Sequence, residues 1–137
     1  AKVSPTWMYR FDFASAVLKW LGLGAMHSME LGNVFGDPYS SRASFLTNLG
    51  SRAEMEELTA TMQQHWSAFI HGGRPEMSWP RYGSTHRATM IFDAEAYIEH
   101  APHELKRQAW EGYHMLEWGS GRPELVRSLG FQPSGWE

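Results

Sequence analysis

Residues 6–13 read Thr6-Trp7-Met8-Tyr9-Arg10-Phe11-Asp12-Phe13, and an aromatic side chain occupies every second position from Trp7 onward. In an extended chain the four rings share one face, and the intervening residues, including Arg10 and Asp12, share the other. This period of two predicts a β-strand. A strand with so apolar a face must be covered, and we expect it to need neighbours that the chain does not contain.

The clearest helix is predicted from Ser51 to about His71. Ser51 and Glu54 are spaced as a capping box, in which two side chains satisfy free amides at a helix start. Apolar residues then recur at intervals of three and four, which predicts a half-buried helix: Met55, Leu58, Met62, Trp66 and Phe69. Gly72-Gly73 permits the left-handed turn that ends a helix, and Pro75 prevents its resumption.

The remaining elements are shorter. Residues 25–38 are rich in glycine and predict a loop with short turns, whereas residues 88–93 predict a second strand. A second helix is predicted from Pro102 to Gly119, and a last helical turn or two from Pro123 to Leu129. No repeat or linker divides the chain, so residues 1–137 are predicted to form part of one domain without an internal boundary.

Composition excludes several classes of protein. Twelve basic and fifteen acidic residues among 137 give a net charge of −3, which argues against a nucleic-acid partner. No cysteine is present, so disulfides and thiol nucleophiles are excluded.

The longest apolar stretch, residues 13–26, is interrupted by Lys19 and is shorter than the roughly 20 residues that span a bilayer. No signal-peptide pattern is found in this part of the chain, and a cytoplasmic location is expected.

Catalytic motifs are few. The Gly-x-Ser-x-Gly pattern of a serine nucleophile is absent, and Gly119-Ser120-Gly121 has the wrong spacing. His100 and His103 are three residues apart, but zinc sites need three or four ligands, so no metal site is predicted. His65 and His71 are expected to be solvated or hydrogen-bonded surface residues.

His27 lies in a glycine-flanked segment, Gly24-Ala25-Met26-His27-Ser28-Met29-Glu30-Leu31-Gly32-Asn33-Val34-Phe35-Gly36. This segment resembles the histidine segment of the type-B carboxylesterases, which include cholinesterases and para-nitrobenzyl esterases. The strand at residues 7–12 is similar to the strand that precedes it in that family. The helix with Met62, Trp66 and Phe69, its glycine-proline end and the Trp79-Pro80-Arg81-Tyr82 segment also match in order, so the resemblance covers about residues 5–93.

The resemblance implies an α/β fold: the C-terminal part of an α/β-hydrolase, with its last core strand, histidine loop, terminal helices and a short extra strand. It implies that His27 is the catalytic histidine of a serine esterase that hydrolyses carboxylic esters without a cofactor. The serine, the acid and the oxyanion-hole glycines would lie upstream of Ala1, in an N-terminal remainder that is the implied partner. Glu30 is not the acid on this interpretation, because the family takes its carboxylate from an earlier loop and the matching glutamate is a buried structural group. The chain alone is therefore predicted to be inactive.

Two departures from the family pattern stand beside His27. Ser28 replaces a glycine, a change between small residues that is expected to leave the loop intact. Gly32-Asn33 replaces a more apolar pair, and we expect this change to loosen the turn that follows.

Two alternatives remain open. The chain could be a non-catalytic interaction or assembly module, which seven tryptophans and the missing nucleophile favour. On either interpretation self-association is expected, with Trp7, Tyr9 and Phe11 near the contact. The second alternative is a small metal-binding protein that uses His100 and His103.

Overall fold

The computed structural model describes residues 4–40, 44 and 48–111. The chain divides into two compact units, Ala1–Pro102 and His103–Glu137. The described part of the first unit contains three strands and three helices: β1 (Met8–Phe11), α1 (Ala16–Trp20), α2 (Glu30–Phe35), α3 (Arg52–Gly72), β2 (Ala88–Phe92) and β3 (Tyr97–His100). The described part of the second unit contains helix α4 (Glu104–Glu111). The prediction of a single domain over residues 1–137 stays a prediction.

The three strands form one mixed sheet in the order β1-β2-β3. β1 runs parallel to β2, with Met8 opposite Thr89 and Phe11 opposite Phe92, while β2 and β3 are antiparallel. A parallel pair needs a long crossover connection, and here α1, α2 and α3 lie within it. Central strand β2 is buried along its whole length, as both faces of an α/β sheet require cover. Among the described residues β1 pairs on one side only, so its other edge is open.

Helix α3 covers the face of the sheet on which the aromatic rings lie. Met55, Leu58 and Met62 of the predicted stripe are buried and join the core, as the spacing indicated. The sheet and the connecting segments contribute the other buried members of this core, which are Phe13, Trp79, Met90 and Phe92. The prediction of a half-buried helix over residues 51–71 is therefore confirmed.

The rings of β1 find their partners within this chain. Tyr9 packs edge-on against Trp66, Trp79 and Phe92, with ring centroids 5.3, 6.0 and 5.8 Å apart. Trp7 packs against Phe69 at 5.8 Å. Helix α3 thus covers part of the aromatic face, while the outer edge of β1 has no strand beside it in the described residues. The expectation that this strand needs neighbours from outside the chain stays a prediction. On the opposite face Arg10 pairs with Asp12 at 2.6 Å and reaches Glu99 of β3 at 3.2 Å.

The two ends of α3 were predicted with different success. Gly73 adopts the left-handed conformation (φ 70°) and its amide donates to the Phe69 carbonyl, as expected for a helix end. The capping box at the other end is wrong, because Ser51 makes no side-chain cap. Its hydroxyl oxygen instead accepts a hydrogen bond from the Ala16 amide at 2.9 Å, a long-range contact that local spacing cannot reveal.

Three short elements were not predicted. α1 is capped by Ser15, whose hydroxyl oxygen accepts from the Leu18 amide at 3.3 Å. α2 lies inside the segment predicted as loop and turns, and β3 has too few apolar residues to show a pattern. Of the second predicted helix the structure describes α4, while its predicted end at Gly119 and the turns at 123–129 lie outside the described residues. No helix in the described part of the chain is long and apolar enough to cross a membrane.

Candidate active site

His27 lies on an exposed turn between α1 and α2. The Met29 amide donates to the Met26 carbonyl at 3.4 Å, which places His27 and Ser28 at the two central positions of that turn. The Leu31 amide then donates to the Ser28 carbonyl at 3.3 Å, so the turn leads directly into α2. Within the described residues no hydrogen bond joins the His27 imidazole to a serine hydroxyl or a carboxylate.

Ser28 adopts a left-handed backbone conformation, with φ at 65°. A side chain in this conformation costs roughly 1–2 kcal/mol, whereas glycine adopts it freely. The turn is present, as predicted for a change between small residues. The serine is nevertheless strained where the resembled family carries glycine.

A cavity of about 300 Å³ adjoins His27. Its apolar walls include Met29, Leu31 and Pro38, and its polar lining includes Asn48. Asn48 is buried, and its side-chain amide donates to the Pro38 carbonyl at 2.8 Å, which ties the far wall to the segment after α2. The imidazole of His27 therefore borders a space large enough for a small organic group.

Glu30 begins α2, three residues after His27, and is half-buried. A carboxylate in the first turn of a helix is favoured by the free amides there. Burial, and secondarily the Glu30 carboxylate, raise the pKa of Tyr9 above its usual range. The Glu30 carboxylate is therefore near enough to Tyr9 for its charge to act on the phenol. It is half-buried, whereas the resemblance had implied a buried group.

His65 is not the surface residue that we predicted. It lies on α3 with only 4% of its surface exposed, and its ring packs against Trp79 at 5.3 Å and Phe92 at 6.0 Å. Its Nδ1 atom is buried without a hydrogen-bond partner in the described structure. Burial lowers the pKa of His65, and the nearby Glu76 carboxylate only partly opposes this effect. His71, in contrast, is exposed, and its Nδ1–H donates to the Ser67 carbonyl oxygen at 2.8 Å, as expected for a hydrogen-bonded surface histidine.

The histidines near β3 do not assemble a metal centre in the described structure. His100 Nδ1 lies 3.3 Å from the His86 carbonyl oxygen, and the two exposed rings are 6.1 Å apart. Across residues 4–40, 44 and 48–111, no group of three or more His, Asp or Glu side chains is placed to hold a metal ion.

Comparisons with known proteins agree on one family. A family model described as the carboxylesterase family matches residues 1–110. The chain is 33% identical over 108 residues to the para-nitrobenzyl esterase of Bacillus subtilis (strain 168), an alignment that covers 77% of this chain and 21% of that protein. It is 27% identical over 135 residues to carboxylesterase 3 of Pongo abelii, covering 90% of this chain and 22% of the relative.

Solved structures give the same result. A thermophilic para-nitrobenzyl esterase superposes with a TM-score of 0.62 at 32% identity, covering 76% of this chain and 21% of the other. A Geobacillus stearothermophilus carboxylesterase at pH 6.2 superposes with a TM-score of 0.63 at 30% identity, covering 79% and 22%. The chain spans about a fifth of the length of these relatives. It has part of the α/β-hydrolase fold, and it belongs to the carboxylesterase family.

Proposed function

We propose that this chain is the C-terminal portion of a serine carboxylesterase, which hydrolyses carboxylic esters and takes its catalytic histidine from position 27. The observation that carries the proposal is the exposed His27 turn, which follows β1 and α1 and borders a cavity of about 300 Å³. The relatives are named as esterases, and the chain matches about a fifth of their length.

In this role Nε2 of His27 takes the proton of a serine hydroxyl as the hydroxyl attacks the ester carbonyl. The imidazolium then returns that proton to the departing alcohol. A carboxylate at Nδ1 holds the ring in the required tautomer and stabilises its charged form. The serine and this carboxylate come from the rest of the esterase, as the chain order of α/β-hydrolase triads implies.

The remainder of the esterase is the proposed partner, and apolar residues near His27 support this. Trp20 is 85% exposed and Phe35 is 78% exposed, on the helices that precede and follow the His27 turn. Leu23 and Leu31 are also about half exposed in the same part of the chain. Exposed apolar side chains close together mark interaction sites, and the open edge of β1 offers further backbone groups for strand pairing.

The alternative is a non-catalytic interaction or assembly module. The same exposed residues and the open β1 edge favour it, because they would also support self-association of the chain. The two proposals differ in whether any hydrolysis depends on His27.

A complementation assay tests the catalytic role. The B. subtilis esterase is truncated to remove the segment that matches this chain, and hydrolysis of para-nitrophenyl acetate is measured for each piece and for the mixture. We expect no turnover by either piece, turnover by the mixture, and a loss of about 10⁴-fold or more when His27→Ala is used. His71→Ala, which changes an exposed histidine on α3, is the matched control and should retain the activity of the mixture.

Three results would count against the proposal. His27-dependent turnover by the isolated chain would refute its being an inactive portion. Full activity of the mixture with His27→Ala would refute the role of His27. Formation of a complex without any turnover would favour the assembly alternative.

A further inference from the structure

Asn33 lies at the centre of the contact between α2 and α3. Its side chain is fully buried, with an exposed fraction of 0%. The Nδ2 group donates to the Thr59 hydroxyl oxygen at 3.0 Å and also lies 2.9 Å from the Met55 sulfur. A buried amide with these partners ties α2 to α3. The expectation that the Gly32-Asn33 pair loosens the turn that follows stays a prediction.

Thr59 fixes the direction of this hydrogen bond. Its hydroxyl donates to the Met55 carbonyl at 2.7 Å, one turn earlier on α3. The single hydroxyl proton is thereby used, and a lone pair is left to accept from Asn33. The Asn33 amide must therefore present its nitrogen, not its oxygen, to Thr59.

The end of α2 is also held closely. The Gly36 amide donates to the Asn33 carbonyl at 3.2 Å, and the Asp37 amide donates to the Gly32 carbonyl at 2.8 Å. A Cβ atom at Gly36 would collide with the Gln63 side chain of α3. The C-terminal end of α2 therefore lies directly against α3, in addition to the contact that Asn33 makes.

The His27 turn is joined to this fixed helix by consecutive backbone hydrogen bonds. The amides of Met29 and Leu31 make them, and α2 begins three residues after His27. The structure describes no hydrogen-bond partner for the imidazole itself, so its position depends on the backbone that carries it.

We propose that Asn33 is a positioning residue for His27, which it holds by fastening α2 to Thr59 of α3. An effect of Asn33 on catalysis rests on the proposed function, but the hydrogen-bonded connection from Thr59 through Asn33 to the His27 turn does not. The hydrogen bond places the turn relative to the core that α3 and the sheet form. A catalytic imidazole has to be held by supporting hydrogen bonds to within about 0.5 Å of its productive position.

Hydrogen exchange of the folded chain, followed by NMR, tests the link without any esterase assay. Thr59→Val keeps the shape of the side chain but removes the hydroxyl, so we expect the Met29 and Leu31 amides to exchange at least tenfold faster. The β2 amides, which report global unfolding, should change less than threefold under the same conditions. The imidazole resonance of His27, assigned with His27→Ala, should shift or broaden.

Two further variants separate positioning from general stabilisation. Thr59→Ser retains the hydroxyl and should restore slow exchange at Met29 and Leu31. Thr61→Val makes the same chemical change two residues along α3, outside the contact, and should leave the His27 turn unaffected. Equal acceleration of all amides in Thr59→Val, or identical exchange in Thr59→Val and Thr59→Ser, would overturn the proposal. Full activity of the complementation mixture with His27→Ala would refute the catalytic role of His27 but would leave this result intact.

Discussion

The core formed by α3 and β2 and the segment around His27 differ in how their structure is determined. In the core, Met62, Met90 and Phe92 have almost no exposed surface, and aromatic rings of α3, β2 and the segment at Trp79 contact one another. Around His27 the helices have five or six residues, large apolar side chains are exposed, and Ser28 is left-handed. The core is stabilised by burial, whereas the His27 segment is held by a few hydrogen bonds to α3. The comparison indicates that the His27 segment has less burial to stabilise it and takes its position from the core.

The largest expected effect comes from removing a core ring. Phe92→Ala deletes contacts with Tyr9, Trp66 and Trp79, whose ring centroids lie 5.8, 5.9 and 5.5 Å away. Truncating a buried Phe costs about 3–5 kcal/mol, from lost transfer free energy and the cavity left behind. We expect a corresponding fall in the free energy of unfolding in urea. Met77→Ala, at a side chain that is 90% exposed, should change it by less than about 0.5 kcal/mol, and equal effects of the two variants would contradict the assignment of the core.

The core could be predicted from the sequence because its signals are local. The period of two in β1 and the spacing of three and four in α3 each predict an element and its buried face. The cover of the β1 rings by α3 could not be predicted, because periodicity shows that a face is apolar but not which element packs on it. His65 is a different case, because it lies seven residues after Leu58 and three after Met62 and therefore shares their helix face. The helical spacing did signal its burial, and the expectation of a surface residue overlooked that signal.

The candidate site was chosen through a resemblance rather than through local physics, and the catalytic role of His27 stays a prediction. The sequence from Gly24 to Ser28 is typical of a turn, but a single histidine in a turn does not by itself indicate an activity. The Ser51 hydroxyl that binds the Ala16 amide and the Asn33 amide that binds Thr59 join residues 35 and 26 positions apart. Such contacts form only after the chain has folded, so the support of the His27 segment is absent from any local pattern.

The second expected effect is a pH dependence of the unfolding free energy, and it tests whether protonation of the buried His65 opposes folding. Because burial lowers the pKa of His65, the unfolded chain binds its proton at a higher pH than the folded chain does. The folded state therefore loses stability as pH falls below about 6.5, the ordinary pKa of histidine, until it also falls below the lowered pKa. His65→Gln, which does not titrate, should flatten the decline of the unfolding free energy between pH 7.5 and 5.

The control for this prediction is the exposed His71 on the same helix. His71→Gln should leave the pH dependence of unfolding as steep as in the unchanged chain. An identical pH dependence in His65→Gln and His71→Gln would show that protonation of His65 does not oppose folding, and the description of its surroundings would then need revision.

The smallest expected effect lies in the His27 segment and would sharpen its contrast with the core. Ser28→Gly removes the cost of a left-handed side chain, roughly 1–2 kcal/mol, but adds freedom to the unfolded chain that costs about 0.5–1 kcal/mol. The balance is a gain in unfolding free energy of about 0.5–1 kcal/mol, measured in urea. Ser67→Gly, within helix α3, should have the opposite sign because glycine is the poorer helix former. If both variants lowered the free energy of unfolding, the left-handed conformation of Ser28 would not be strained in solution.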